Sequence, residues 1–206
     1  MIKRLVQAGV IVCAGHSDAD YVQTRAALDA GLQGFTHLYT TMRPMQSREP
    51  GMVGAALEDE RSFFGIIADG HHVHPATLKS AIRAKQPGGA ILVTDAMPTV
   101  GSDDKLFRLG EMEISAEGGV CRTRDGVLAG SDLDMASAVR NVRKFAGVGT
   151  EEAWRMASIY PARALGLDRE LGRIAVGYRA NMVACDGEGR VIYTWIDGQQ
   201  APGARE

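Results

Sequence analysis

The chain has no cluster of lysine and arginine, no long apolar run, no Cys-x-x-Cys pair and no low-complexity tract. Each absence removes a class of function. With a formal net charge of −2 over 206 residues, it lacks the basic footprint that nucleic-acid backbones require. No stretch approaches the roughly 20 apolar residues that cross a bilayer. Its 3 cysteines, Cys13, Cys121 and Cys185, are odd in number and far apart, which argues against a disulfide framework or a sulfur-bound structural zinc. A reducing, cytoplasmic setting with buried thiols fits best. Lys3-Arg4 followed by Leu5 to Gly15 mimics a signal peptide, but Gln7 interrupts the apolar stretch. Ile2 to Ala8 instead reads as a helix stopped by Gly9.

What is present is a series of apolar runs that end in chemistry-bearing residues. Val10 to Gly15 precedes His16, Gly34 to Thr36 precedes His37, Phe63 to Gly70 precedes His71 and His72, and Ala90 to Thr94 precedes Asp95. All 5 histidines, His74 included, lie at such ends. Between the runs come helix formers. Residues 18–31 follow Ser17 and Asp18, either of which can cap, and 76–86 follow Pro75 and stop at Pro87-Gly88-Gly89. Apolar strands alternating with helices predict a parallel sheet covered by helices, with catalytic groups where the strands end.

The pattern changes after about residue 105. Leu106 to Leu109 and Glu111 to Cys121 read as short strands broken by Gly110 and Gly118-Gly119. Met135, Val139, Val142 and Ala146 make one helical stripe, and Thr150 is placed to cap a second helix whose first turn holds Glu151 and Glu152. Pro161 demands a kink or a fresh helix start. Residues 181–186 and 190–196 form a hairpin closed by Asp197-Gly198. The expected organisation is a partial (β/α) barrel over residues 1–102, and over 103–206 a partial small β domain whose intervening helices pack on the barrel.

His16 and His37, at neighbouring strand ends, are the candidate metal ligands, because a catalytic divalent ion takes neutral imidazoles and keeps a position open for water. Asp95 is the candidate acid/base that moves the proton of the attacking water. As single residues each has an ordinary alternative, a hydrogen-bonded histidine or a capping aspartate, and it is the matching strand-end positions that favour chemistry. The histidines of Asp69-Gly70-His71-His72-Val73-His74 can face one metal or form a polar rim. Arg48 lies in a loop where a guanidinium can clamp phosphate or carboxylate, and is equally readable as a solvated surface arginine. The glycine of Leu128-Ala129-Gly130-Ser131 can admit a ligand to backbone amides, a weak signal on its own.

At these residues the chain resembles the N-acetylglucosamine-6-phosphate deacetylases of the amidohydrolase superfamily. The resemblance rests on Gly15-His16-Ser17, Thr36-His37-Leu38-Tyr39, Arg48-Glu49-Pro50-Gly51, Ile67-Ala68-Asp69-Gly70 with His72-Val73, Leu92-Val93-Thr94-Asp95-Ala96, Leu128-Ala129-Gly130-Ser131, Val139-Arg140-Asn141 and Tyr160-Pro161-Ala162-Arg163, in the family's order. It implies the C-terminal half of a (β/α)8 TIM-like barrel with part of a small β-sandwich. It also implies removal of the acetyl group from N-acetylglucosamine 6-phosphate to give glucosamine 6-phosphate and acetate. His16 and His37 become metal ligands, with zinc first and iron or another divalent ion as alternatives, and Asp95 the acid/base. Arg48 and His72 become contacts to the sugar phosphate, and Thr40, Thr41, Leu128, Ala129, Gly130 and Ser131 substrate-binding positions. A cytoplasmic homodimer is implied, without nucleic-acid or membrane partners.

Two departures qualify the resemblance. Thr40-Thr41 stands where relatives usually carry Asn followed by Ala, which puts the sugar specificity in question. The chain also begins where the family is about halfway through its barrel, so the strand with the glutamate ligand is missing, and three protein ligands are usual for zinc. A truncated reading frame or fragment is the expectation. A non-catalytic sugar-phosphate-binding or oligomerising half-barrel and a hydrolase of cyclic amides are the alternatives.

Overall fold

A computed structural model describes residues 1–202. Helix α1 (Ile2–Gln7) leads through Gly9, at φ +77°, into strand β1 (Cys13–Ala14). Helix α2 (Tyr21–Asp29), β2 (Gly34–Phe35), α3 (Gly51–Glu58), β3 (Phe63–Ile67), α4 (Pro75–Ala84) and β4 (Ala90–Val93) follow. The four strands pair in parallel in the order β1-β2-β3-β4. Parallel neighbours need a crossover between them, and the helices supply it. The runs at β3 and β4 are apolar on both faces because both faces are covered: Phe64, Ile66, Ile67 and Leu92 are buried.

Some details differ from the sequence reading. The regular parts of β1 and β2 are shorter than the apolar runs that contain them. The cap of α2 is Asp20, not Ser17 or Asp18: its carboxylate accepts from the Gln23 amide at 2.7 Å, and the Gln23 side chain accepts from the Asp20 amide at 3.0 Å. This reciprocal arrangement satisfies two amides that a helix start leaves open. Helix α3 follows the strand–helix alternation, but the sequence reading gives it no bounds. Gly51 to Ala56 are all buried, so no polar stripe marks a helical period.

Beyond β4 come β5 (Leu106–Leu109), β6 (Met112–Glu117), β7 (Val120–Thr123) and β8 (Leu128–Ser131), an antiparallel sheet in that order. A parallel bridge between Ala96 and Ser131 ties β8 to the segment leaving β4. Helix α5 (Met135–Ala146) is capped by Asp134 and ends at Gly147, φ +70°. Helix α6 (Thr150–Ala157) has Gly149 at its cap position with no side-chain cap, so Thr150 is its first helical residue and not its cap. Pro161 lies in the first turn of a fresh helix, α7 (Ile159–Ala164), where its missing N–H costs nothing.

The hairpin of β9 (Met182–Cys185) and β10 (Val191–Ile196) turns at Asp197-Gly198 into a short third strand, β11 (Gln199–Gln200). Val139, Val142 and Ala146 of α5 and Met156 of α6 join Phe64, Ile66, Leu78 and Leu92 in one apolar cluster. The outcome is a mixed α/β fold whose largest core lies on the parallel sheet. No helix among the described residues is long and apolar enough to cross a membrane.

Candidate active site

One rule places the chemistry. His16, His37, Asp69 and Asp95 each stand two residues past the last residue of β1, β2, β3 and β4, so all four occupy the same end of the sheet. His16, His37 and Asp95 share a rarer property, φ values of +46°, +24° and +53°. Few non-glycine residues enter this region, and such conformations persist where the surrounding structure over-determines them, commonly at functional sites.

The two histidines meet. Their Nε2 atoms are 2.9 Å apart and the rings stand edge to face at 71°. A second pairing locks the loops that carry them: the Ser17 amide donates to the Thr41 carbonyl at 3.0 Å, and the Arg43 amide donates to the Ser17 carbonyl at 3.2 Å. The residues His16, Ser17, Thr41, Met42 and Arg43 line a small open pocket of about 250 Å³. His37 is buried and its Nδ1 has no hydrogen-bond partner among the described residues. Imidazole nitrogens converging in this way have the donor chemistry of a divalent-metal site. The set is nonetheless short, because no group of three or more His, Cys, Asp or Glu side chains that could hold a metal gathers among the described residues.

Asp95 forms a separate pairing. Its Oδ2 is 3.9 Å from Nε2 of His72, whose Nδ1 is 2.5 Å from Asp69 Oδ2. The other Asp69 oxygen accepts from the amides of His71 and His72, each at 2.9 Å. Burial works to raise the Asp69 pKa, but the His72 ring and the two amides outweigh it and hold the carboxyl below its ordinary value. Parallel strands are about 4.8 Å apart, so His37 and Asp95, two strands apart, are separated by roughly 10 Å of sheet. The structure thus gathers two pairs along one sheet end, His16 with His37 and His72 with Asp95.

Thr40 donates its amide to the His37 carbonyl at 3.0 Å and buries a hydroxyl without a partner, while Thr41 is exposed at φ +50°, an uncommon value for a β-branched residue. Arg48 is exposed and makes no ion pair among the described residues. Its neighbour Glu49 anchors the loop by accepting from the amides of Gly51, at 2.8 Å, and Tyr21, at 3.3 Å. Leu128 to Ser131 form strand β8, with Ser131 fully buried.

The Ser131 hydroxyl donates to the Thr94 carbonyl at 2.5 Å, and its carbonyl accepts from the Met97 amide at 2.9 Å. Gly130 sits at φ +114°, where an added Cβ would come 2.8 Å from Met97 Cγ and 3.1 Å from the Asp95 carbonyl oxygen. Two supporting contacts are not read from the sequence, that of Asp69 to His72 and that of Ser131 to the Asp95 turn. Asp69 was accessible, since it holds the same strand-end position as the other three.

Comparison with known proteins places the chain. The amidohydrolase family model matches residues 2–201. An N-acetylgalactosamine-6-phosphate deacetylase of Escherichia coli O157:H7 is 46% identical over 97% of this chain and 53% of its own length. A putative N-acetylgalactosamine-6-phosphate deacetylase of Escherichia coli strain K12 is 46% identical over 80% of this chain and 98% of its own length. The crystal structure of N-acetylglucosamine-6-phosphate deacetylase from Pasteurella multocida superposes with a TM-score of 0.93 at 33% identity, covering 97% of this chain and 52% of that one. The chain thus spans about half the length of the longer relatives and nearly all of the shorter one. Proteins of this family generally use a divalent metal. With the family model spanning almost every residue, the chain belongs to the amidohydrolase family.

Proposed function

We propose that this chain carries the C-terminal part of a deacetylase site that converts N-acetylglucosamine 6-phosphate and water into glucosamine 6-phosphate and acetate. The carrying observation is the His16–His37 pair, Nε2 to Nε2 at 2.9 Å, on the same sheet end as Asp95. In this reading the parallel sheet is half of a (β/α)8 barrel, the antiparallel sheets belong to a small β domain, and the molecule works as a cytoplasmic homodimer.

His16 and His37 would hold a divalent ion, zinc first, with a further ligand from outside the groups gathered here. When bound, such an ion polarises the amide carbonyl and lowers the pKa of water. Asp95 takes a proton from the attacking water and returns it to the nitrogen as the C–N bond breaks, so the amine leaves protonated. His72 presents its Nε2 edge beside Asp95, and Arg48, on an anchored loop, is free to reach an anionic group. Thr40, Thr41 and Leu128 to Ser131 border the substrate in this reading.

A second reading, a sugar-phosphate-binding unit without turnover, is favoured by the absence of a third metal ligand among the described residues. Acetate release would be measured with zinc on N-acetylglucosamine 6-phosphate, its galacto epimer and the unphosphorylated sugar, and ring opening would be measured on a cyclic amide. Solution mass and metal content would be determined in parallel. Release from a phosphorylated amino sugar supports the deacetylase. Binding of the phosphorylated sugars without release supports the second reading, and ring opening of the cyclic amide alone overturns both.

A further inference from the structure

The Asp69–His72 pair is more tightly built than a substrate contact requires. Both side chains are almost completely buried, at 3% and 2% exposure. The Asp69 carboxylate is held by three interactions, two backbone amides on Oδ1 and the His72 ring on Oδ2. A carboxylate so held has no donor of its own, so the nitrogen facing it must carry the proton. The ring is then fixed with Nδ1–H toward Asp69 and Nε2 toward Asp95. Its neighbours show the contrast. His71 is exposed, and His74 turns Nδ1 to accept from the Ala76 amide at 3.2 Å, which leaves its proton on Nε2.

The geometry points to Asp69 as a positioning residue that selects the Nδ1–H form of His72 and so keeps Nε2 a bare acceptor, 3.9 Å from the Asp95 carboxyl and open to a donor group of the substrate beside it. A carboxylate that orients a histidine in this way is a recurring device, and replacing it with an amide leaves the shape while reversing the proton. Here the reversal is specific. In Asp69→Asn the amides of His71 and His72 still require an oxygen acceptor, so the new NH2 must face His72 Nδ1 and donate to it. The proton then moves to Nε2, and the edge turned toward Asp95 changes from acceptor to donor. The part concerning Asp95 rests on the proposed deacetylase reading, whereas the protonation pattern of His72 does not.

The test uses the full chain labelled with 15N. Two-bond correlations between ring carbon-bound protons and ring nitrogens report which nitrogen of each histidine is protonated. His72→Gln assigns the His72 signals by difference, and His74 serves as the internal opposite. The expected result at pH 8.5 is Nδ1 protonated in His72 of the native chain and bare in Asp69→Asn, with an unchanged far-ultraviolet circular dichroism spectrum. A bare Nδ1 in the native chain overturns the proposal whether or not the variant folds. The same protonated Nδ1 in both proteins also overturns it. Neither result bears on whether the chain releases acetate, so failure here and failure of the deacetylase reading are separable.

Discussion

Ser131 donates its amide to the carbonyl of Asp95 at 2.9 Å, while its hydroxyl reaches back to the carbonyl of the residue before, Thr94. One buried serine therefore holds both peptide groups flanking the candidate acid/base in place. The hydroxyl also accepts from the Leu133 amide at 3.1 Å, so its removal orphans a buried donor and a part-buried acceptor. Ser131→Ala is expected to cost about 1–3 kcal/mol. A calorimeter should register this as a fall in Tm of roughly 2–4 °C per kcal/mol for a chain of this size. An unchanged Tm would remove Ser131 as a structural support of the Asp95 turn.

Asp95 itself separates chemistry from conformation. Asn tolerates the left-handed backbone that Asp95 adopts, so Asp95→Asn should fold normally and, in any assembly that turns over, lower kcat by about 10²- to 10⁴-fold. Asp95→Ala should show the same catalytic loss together with about 1 kcal/mol or more of destabilisation from the φ of +53°. Equal rates for the native chain and the Asn variant would exclude Asp95 from proton transfer.

Zinc binding reads the histidine pair directly. Calorimetric titration of the chain with zinc at neutral pH should give an affinity that falls about tenfold or more in His16→Ala and in His37→Ala alike, since changing even a supporting residue costs about 10–100-fold. Loss in one variant alone would show that the two nitrogens do not share an ion.

Acid stability depends on a carboxylate at the opposite end of the sheet. Asp59, which ends α3, accepts from Arg25 at 3.1 Å, from the Arg61 guanidinium at 2.8 Å and from the Ser62 amide at 2.9 Å. Burial acts to raise its pKa, but the hydrogen bonds from Arg61 and Ser62 prevail and lower it. A group whose pKa is depressed by folding stabilises the fold above its unfolded value, about 3.9 for Asp, and loses that contribution as pH falls through the folded value. Urea midpoints of the native chain should therefore drop below about pH 4. Asp59→Asn should be less stable near neutrality and show a shallower decline over the same range. A parallel decline in both proteins would contradict the assignment.

Much of the parallel region is legible in the chain because burial on both faces forces continuous apolar runs. Those runs locate β3 and β4, and their ends locate His16, His37 and Asp95. Helix α3 is silent for the same reason, since a segment buried all round carries no polar stripe. The caps at Asp20 and Gly149 were misplaced because several adjacent residues offer similar chemistry, and only the backbone angle decides among them. Ser131 illustrates a different limit. Its sequence context suggests access for a ligand, but its partners lie on a segment more than thirty residues away, and only coordinates show them.

The left-handed corners at His16, His37 and Asp95 also constrain what evolution or a laboratory can do with this scaffold. A library that randomises these positions should return mainly Asn, Asp, His and Gly whichever metal or reaction is selected, because other side chains fail at the backbone before their reactivity is ever sampled. Retuning the centre toward a thiolate-loving ion would first require rebuilding the loops, not merely exchanging the ligands.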